Sequence, residues 1–162
     1  MTSLRRMPMT VRLTRQSPDS RWSARTVRTT DAPELSLLLY AAFRGTVDDE
    51  GDTLEDARRE IEKTFSGVYG RFLSDGSFVV EAGGALASAC LVSWYEATDS
   101  PLVVFAMTRP ESKRRGMART LLQTSMNALL DAGHERLTLI VTRDNEPAIR
   151  LYSGLGFRCA SE

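Results

Sequence analysis

The sequence predicts a single α+β or α/β domain around a mixed central sheet, and three observations carry that prediction. Short apolar runs rich in β-branched residues alternate with stretches of helical spacing along the chain. Gly83-Gly84 separates two of those runs, a two-residue hairpin signal that makes their strands antiparallel neighbours. Further on, the runs at 102–108 and 137–141 flank one amphipathic stretch, the pattern of a right-handed crossover between parallel strands. A chain of 162 residues is long enough to bury a full hydrophobic core in one domain.

Taken in order, residues 1–24 are rich in Arg and Ser and are interrupted by Pro8 and Pro18. They read as a poorly ordered arm ahead of a domain over 25–162, with a short strand at Thr10 to Leu13 as the alternative. Thr26 to Thr29 reads as the first strand. Asp31 is placed to cap a helix opening at Ala32-Pro33, whose core stripe is Leu35, Leu37, Leu38, Leu39 and Phe43. Arg44 to Gly51 is a polar, acidic loop, and Thr53 caps a second helix from Leu54 to about Phe65. The hairpin strands are Phe78 to Ala82 and Leu86 to Tyr95, the second with Leu86, Cys90, Val92 and Trp94 on one face.

Asp99-Ser100-Pro101 turns the chain into the strand at 102–108, and Pro110 blocks any continuation of its ladder. The next helix carries Ala118, Leu122, Met126 and Leu129 three or four residues apart and stops at Gly133. After the strand at 137–141, Asn145 caps a last helix with Pro147 in its first turn.

Composition excludes several classes. The formal net charge is +0 and 42% of residues are hydrophobic, whereas a nucleic-acid binder carries a basic surplus. No apolar run nears the roughly 18 residues that span a bilayer, so no membrane role and a cytoplasmic location are expected. Cys90 lies in a strand-like run and reads as a buried free thiol. The two cysteines and the single His134 lack metal-ligand spacing, so no metal site is expected.

The chemistry concentrates at Lys113, Arg114, Arg115, Gly116, Met117, Ala118 and Arg119, where a Pro-marked loop enters the long helix. The first turn of a helix has N–H groups without intrahelical partners and a partial positive charge. A glycine there lets a ligand reach the backbone, and the surrounding cations suit phosphate. A pyrophosphate fits such a place, although a solvated basic turn has the same composition.

Lys113-x-x-Gly116-x-Ala118 resembles the acyl-CoA loop of the GNAT superfamily of N-acyltransferases, written Arg or Gln, two residues, Gly, one residue, then Gly or Ala. Lys113 departs at the first position, keeping the charge and losing a bidentate fork. Asn145-x-x-Ala148-x-x-Leu151-Tyr152-x-x-x-Gly156-Phe157 is similar to the family's second signature, and the likeness covers roughly residues 26–158. It implies an α+β fold of α/β/α-like sandwich form, with a mostly antiparallel sheet and one splayed parallel pair whose V-shaped slot takes acetyl-CoA as acyl donor. It implies that main-chain groups of Ala106, Met107 and Thr108 pair with the pantetheine. It gives Tyr152, two turns along from Asn145, the role of general acid to the departing thiolate. Only five residues follow Phe157, so the resemblance also implies that the closing strand is a stub or missing, with a truncated edge or a partner subunit such as a homodimer in its place.

The expected function is an N-acetyltransferase moving acetyl from acetyl-CoA to a primary amine of a small molecule or protein. A lysine-like amine costs about 4–5 kcal/mol to neutralise at pH 7, so a base or water path is required. Glu81, Glu96, Asp49 and Glu50 are the candidate bases. The acidic loop with Asp49 and Glu50, together with Tyr40, is the candidate acceptor site. No Ser-His-Asp set is evident, which favours direct attack in a ternary complex over a covalent acyl-enzyme. The alternatives are a non-catalytic acyl-CoA sensor and a basic-loop polyanion binder.

Overall fold

The computed structural model describes residues 5–159. Its elements are β1 (Arg6–Arg12), β2 (Ala24–Thr26), α1 (Ala32–Phe43), α2 (Leu54–Ser66), β3 (Phe78–Ala82), β4 (Ala85–Tyr95), β5 (Ser100–Thr108), α3 (Met117–Asp131), β6 (Arg136–Thr142), α4 (Glu146–Gly154) and β7 (Arg158–Cys159). The strands form one sheet in the order β2-β3-β4-β5-β6-β1-β7. The β5–β6 pair is parallel and every other pair antiparallel.

Helices cover both faces, as the α/β/α-like sandwich requires. On one face Leu35, Leu38 and Leu39 of α1 and Ala57 and Ile61 of α2 close on Val79, Leu86, Leu91 and Met107. On the other, Met117, Leu121, Leu122 and Met126 of α3, with Phe157 beyond α4, close on Cys90, Val92, Val103, Leu137 and Leu139. Thr53 caps α2 through a reciprocal box with Asp56, and Gly67 ends it in the left-handed conformation. Gly83 and Gly84 both have positive φ, +64° and +79°, which is what a tight two-residue hairpin between twisted strands demands.

Five details differ from the sequence reading, each for a local reason. Arg6–Arg12 is not an arm but a strand that pairs along β6 from Thr142 to Arg136. Its alternating Met9 and Val11, followed by Leu13, are buried in the core, which repays the ordering of an Arg-rich segment. The first strand of the hairpin side is Ala24–Thr26 rather than 26–29, because Val27 already turns into the core and binds the Ser77 carbonyl. Leu86 lies on the α1/α2 face, opposite Cys90, because Val80 pairs with Ser88 while Glu81 pairs with Leu86. Ala87 is thus an extra residue, and a bulge reverses which side chains face up. Leu37 is 47% exposed, off the α1 stripe. Asp31 does not cap α1 with its side chain; its carboxylate binds the Arg25 guanidinium and the Arg28 amide. Among the described residues the last strand, β7, has two residues, paired to β1, and residues 1–4 and 160–162 lie outside the described residues.

Candidate active site

The site begins with a fault in a ladder. β5 and β6 pair only at Leu102–Thr138 and Val103–Leu139. Across β5's other edge, Leu91 pairs with Phe105 and Val92 with Val103, leaving Val104 as an extra residue. A bulge bends the strand that carries it, and this one sits where β5 leaves β6. Both strands stay paired on their outer sides, β5 to β4 as far as Thr108 and β6 to β1 as far as Thr142. Their inner edges therefore part into a V, and residues of both line a cleft of about 1460 Å³.

Which main-chain groups face that cleft follows from the alternation of a strand. The Arg109 amide donates to the Ala87 carbonyl at 2.8 Å, so Arg109 and, two residues back, Met107 are turned toward β4. Ala106 and Thr108 are then turned toward the cleft. Of the three residues expected to pair with a donor, these two are aimed to do so, and Met107 is buried in the core.

At the wide end of the V stands the head of α3. Gly116 is its N-cap with φ +83°, and its carbonyl takes the first helical bond from Thr120. The amides of Met117, Ala118 and Arg119 are left without backbone acceptors among the described residues. A Cβ at Gly116 would meet only an Arg21 guanidinium nitrogen at 4.0 Å, so the approach is open. Lys113, Arg114, Gly116, Ala118 and Arg119 line the cleft. Arg115 does not; its carbonyl is held by the indole N–H of Trp22 at 2.9 Å. Lys113 donates to the Ala42 carbonyl at the end of α1, at 3.4 Å. The Arg21–Trp22 segment beside this loop was missed by the sequence reading, and only its tryptophan marked it out in a polar stretch.

The Asn-to-Tyr signature converges on the same cleft. Asn145 Oδ1 accepts the Ala148 amide at 3.2 Å and so caps α4. Its Nδ2 donates to Asp48 Oδ2 at 2.9 Å, while Thr142 Oγ1 donates to Asp48 Oδ1 at 2.6 Å. Tyr152 lines the cleft, its ring edge-on to Phe157 at 5.9 Å. Its hydroxyl has no hydrogen-bond partner among the described residues. Burial pushes the Tyr152 phenol well above its ordinary value, and the nearby Cys90 and Asp48 add to this.

The candidate carboxylates separate. Glu81 is exposed on β3 and ion-paired with Arg25 at 2.8 Å, outside the cleft. Glu96 is exposed in the turn between β4 and β5, also outside it. The structure thus brings neither of these two bases to the slot: Glu81 is on β3, separated from β5 by β4, and Glu96 is in the β4–β5 turn at the opposite end of β5 from Thr108. Asp49 and Glu50 do line the cleft with Tyr40. Asp49 is spent on its own loop, accepting the Gly45 and Gly51 amides at 2.8 and 2.9 Å, and these bonds lower its pKa. Glu50 reaches Arg6 at 3.5 Å, and Tyr40 lies under the Arg44 guanidinium. Asp48, in the middle of the same loop, was not singled out from sequence: three consecutive acids look alike there, and only tertiary contacts distinguish them.

Among the described residues no Cys or His lines the cleft to serve a covalent route. Cys90 is buried, and burial pushes its thiol up to about 11. His134 packs against Trp94, away from the cleft. Among the described residues no group of three or more His, Cys, Asp and Glu is arranged to hold a metal ion, and no helix is long and apolar enough to cross a membrane.

The Acetyltransferase (GNAT) family model matches residues 35–157. The chain is 29% identical over 125 residues to the mycothiol acetyltransferase of Corynebacterium aurimucosum, a match covering 75% of this chain and 41% of that protein. It is similar to the ribosomal-protein-S18-alanine N-acetyltransferase structure from Escherichia coli, at 25% identity and a TM-score of 0.66 over 86% of this chain and 79% of that one. A GCN5-related N-acetyltransferase from Sphaerobacter thermophilus shares the fold at 20% identity, with a TM-score of 0.75 over 98% of this chain and 50% of that one. The chain thus spans less than half the length of the curated relative it matches.

Proposed function

Because the chain belongs to the GNAT acetyltransferase family, we propose that it is an acetyl-CoA-dependent N-acetyltransferase acting on a primary amine by direct attack. The observation that carries the reading is the parted β5–β6 edge running toward the open amides at Gly116, one continuous path for an acyl-pantetheine arm and its pyrophosphate. The backbone of Ala106 and Thr108 holds the arm, and Lys113, Arg114 and Arg119 supply charge to the phosphates. The Thr108 amide is the donor for the thioester oxyanion. Nitrogen forms a bond to the acetyl carbon, the carbon–sulfur bond breaks, and the electron pair leaves on sulfur. Tyr152 gives its proton to that thiolate, and a nitrogen proton returns through water to the tyrosinate. The buried Cys90 thiol and the remote His134 favour this direct route over an acyl-enzyme.

The two relatives above are named for different molecules, mycothiol and a ribosomal-protein alanine. The acceptor of this chain is therefore set by its own α1–α2 wall, where Tyr40, Asp49 and Glu50 stand. The test is a panel of primary amines with acetyl-CoA, followed by CoA thiol release and by mass detection of product. Acetylated amine with stoichiometric thiol is the expected result. Tight CoA binding with no product across the panel overturns the enzyme reading in favour of a non-catalytic acyl-CoA sensor.

A further inference from the structure

Resting on that acetyltransfer reading, we propose that Asp48 is the docking carboxylate for the acceptor's alkylammonium group, the residue that selects a cationic primary amine and brings it to the thioester.

The argument starts with how the loop is turned. Asp49 folds the loop back on itself through the Gly45 and Gly51 amides, and Thr46 Oγ1 donates to the Phe43 carbonyl at 2.7 Å. The preceding residue, Asp48, is thereby directed across the cleft to the other wall. There each of its oxygens accepts one hydrogen bond, from Thr142 at the end of β6 and from Asn145 at the head of α4. Each carboxylate oxygen offers two lone-pair directions, so one on each oxygen remains for a ligand in the cleft.

The electrostatic balance points to what that ligand is. Three acids on this side of the cleft have cations, Glu50 with Arg6, Asp56 with Arg59, and Glu60 with Lys63, and Asp49 is held by the loop amides. Asp52 has no ion pair among the described residues and stands among acids that raise its carboxyl, and it makes no hydrogen bond to the β6 and α4 wall that Asp48 reaches. Asp48 is half-buried and makes no ion pair among the described residues; both of its donors are neutral. A partly desolvated carboxylate with neutral donors only is a site for a cation. Asp48 and Tyr152 line the same cleft, so a cation held at Asp48 shares it with the group that protonates the leaving sulfur. Asp48 draws the ammonium in, and the ammonium gives one of its protons to water at the open rim, which leaves a neutral amine. The freed lone pair then makes the carbon–nitrogen bond.

The test uses two small probes with the full chain and acetyl-CoA: n-butylamine, a cation at neutral pH, and hydroxylamine, which is neutral there. In Asp48→Asn, kcat/KM for n-butylamine should fall by about ten- to a hundred-fold, the usual cost of removing one charged hydrogen-bond partner. The loss with hydroxylamine should be several-fold smaller, and CoA affinity by calorimetry should stay within about two-fold. Asp48→Glu, which restores the charge, should recover part of the n-butylamine rate. Equal losses for both probes, or no recovery in Asp48→Glu, would make Asp48 a structural strap and overturn the proposal. A wild-type protein that binds acetyl-CoA and acetylates neither probe counts against the acetyltransfer reading itself, and this inference falls with it.

Discussion

The two ends of the cleft are built from different materials. The donor end is mostly main chain: the free edge of β5 after the Val104 bulge, and the unpaired amides at the head of α3. The acceptor end is mostly side chain, with Asp48, Asp49 and Glu50 carried on the connection between α1 and α2. Charge divides the same way. Lys113, Arg114 and Arg119 stand at one rim, while at the other Asp52, Asp56 and Glu60 join the loop acids and outnumber Arg6, Arg44, Arg59 and Lys63. Burial raises the Asp52 carboxyl, and the crowd of acids around it, with Asp56 foremost, raises it further. A backbone-built end depends on where the chain goes and tolerates changes in most of its side chains. A side-chain-built end depends on single atoms, and one carboxylate can decide which acceptor it takes.

The largest test of that division falls where the two ends meet, at Tyr152. Tyr152→Phe keeps the ring against Phe157 and removes the proton. The single-turnover rate should drop by about ten- to a thousand-fold, the range of one acid–base group, while CoA affinity holds. The raised phenol pKa has a definite consequence for pH. The acid form persists above the ordinary tyrosine value of about 10, so the wild-type rate should show no alkaline fall from Tyr152 up to that pH. An unchanged rate in Tyr152→Phe removes the acid role and leaves a packing residue.

The next effect isolates the backbone end. Gly116→Glu places a side chain and a negative charge in open approach to the α3 amides, and CoA affinity by calorimetry should fall by about a hundred-fold, the loss of a charged hydrogen-bonded contact. Any L-residue at φ +83° is strained, so Gly116→Ala is the control. It should lose roughly 1–2 kcal/mol of stability from the left-handed backbone and keep most of its CoA affinity. Equal loss of affinity in both variants would mean that helix geometry, and not occupancy of the glycine's space, governs the donor end.

The same division explains what the sequence made legible. Gly116, the Gly83-Gly84 hairpin, the Thr53 cap and the Asn145-to-Tyr152 spacing are local devices, readable because a positive φ or a cap needs particular residues. The fold class followed from the order of such elements. The Val104 bulge was not readable, because Leu102 to Met107 is uniformly apolar and any of its residues could be the extra one. The strand β1 was masked by composition: its Met9 and Val11 alternate with polar residues and Leu13 continues the pattern, yet the arginines at 5, 6, 12 and 15 around them read as an arm. Asp48 could not be told from Asp49 and Glu50, since its identity lies in Thr142 and Asn145, nearly a hundred positions away. Glu81 and Glu96 attracted notice as strand-end acids, and the sheet order then carried them away from the slot.

The smallest expected effect bears on those last two acids and tests the acceptor end by contrast. Glu81 is 56% exposed, and its partner Arg25 also holds Asp31. Glu81→Gln keeps a hydrogen-bond acceptor for the guanidinium and removes one charge from an exposed pair, a change of less than about 1 kcal/mol. Arg25 keeps its bidentate pair with the less exposed Asp31, so β2 stays docked and the melting temperature should move by a few degrees at most, on the order expected from such a change. The catalytic comparison is sharper than the stability one. If the charge that matters to the amine sits in the α1–α2 loop, kcat/KM for any amine that is turned over should remain within about two-fold in Glu81→Gln, because a screened surface charge outside the cleft has little reach. Glu96→Gln should behave the same way. A fall of ten-fold or more in either variant, with the melting temperature held, would return the base to the hairpin and erase the distinction between a cleft built from backbone and a wall built from the loop.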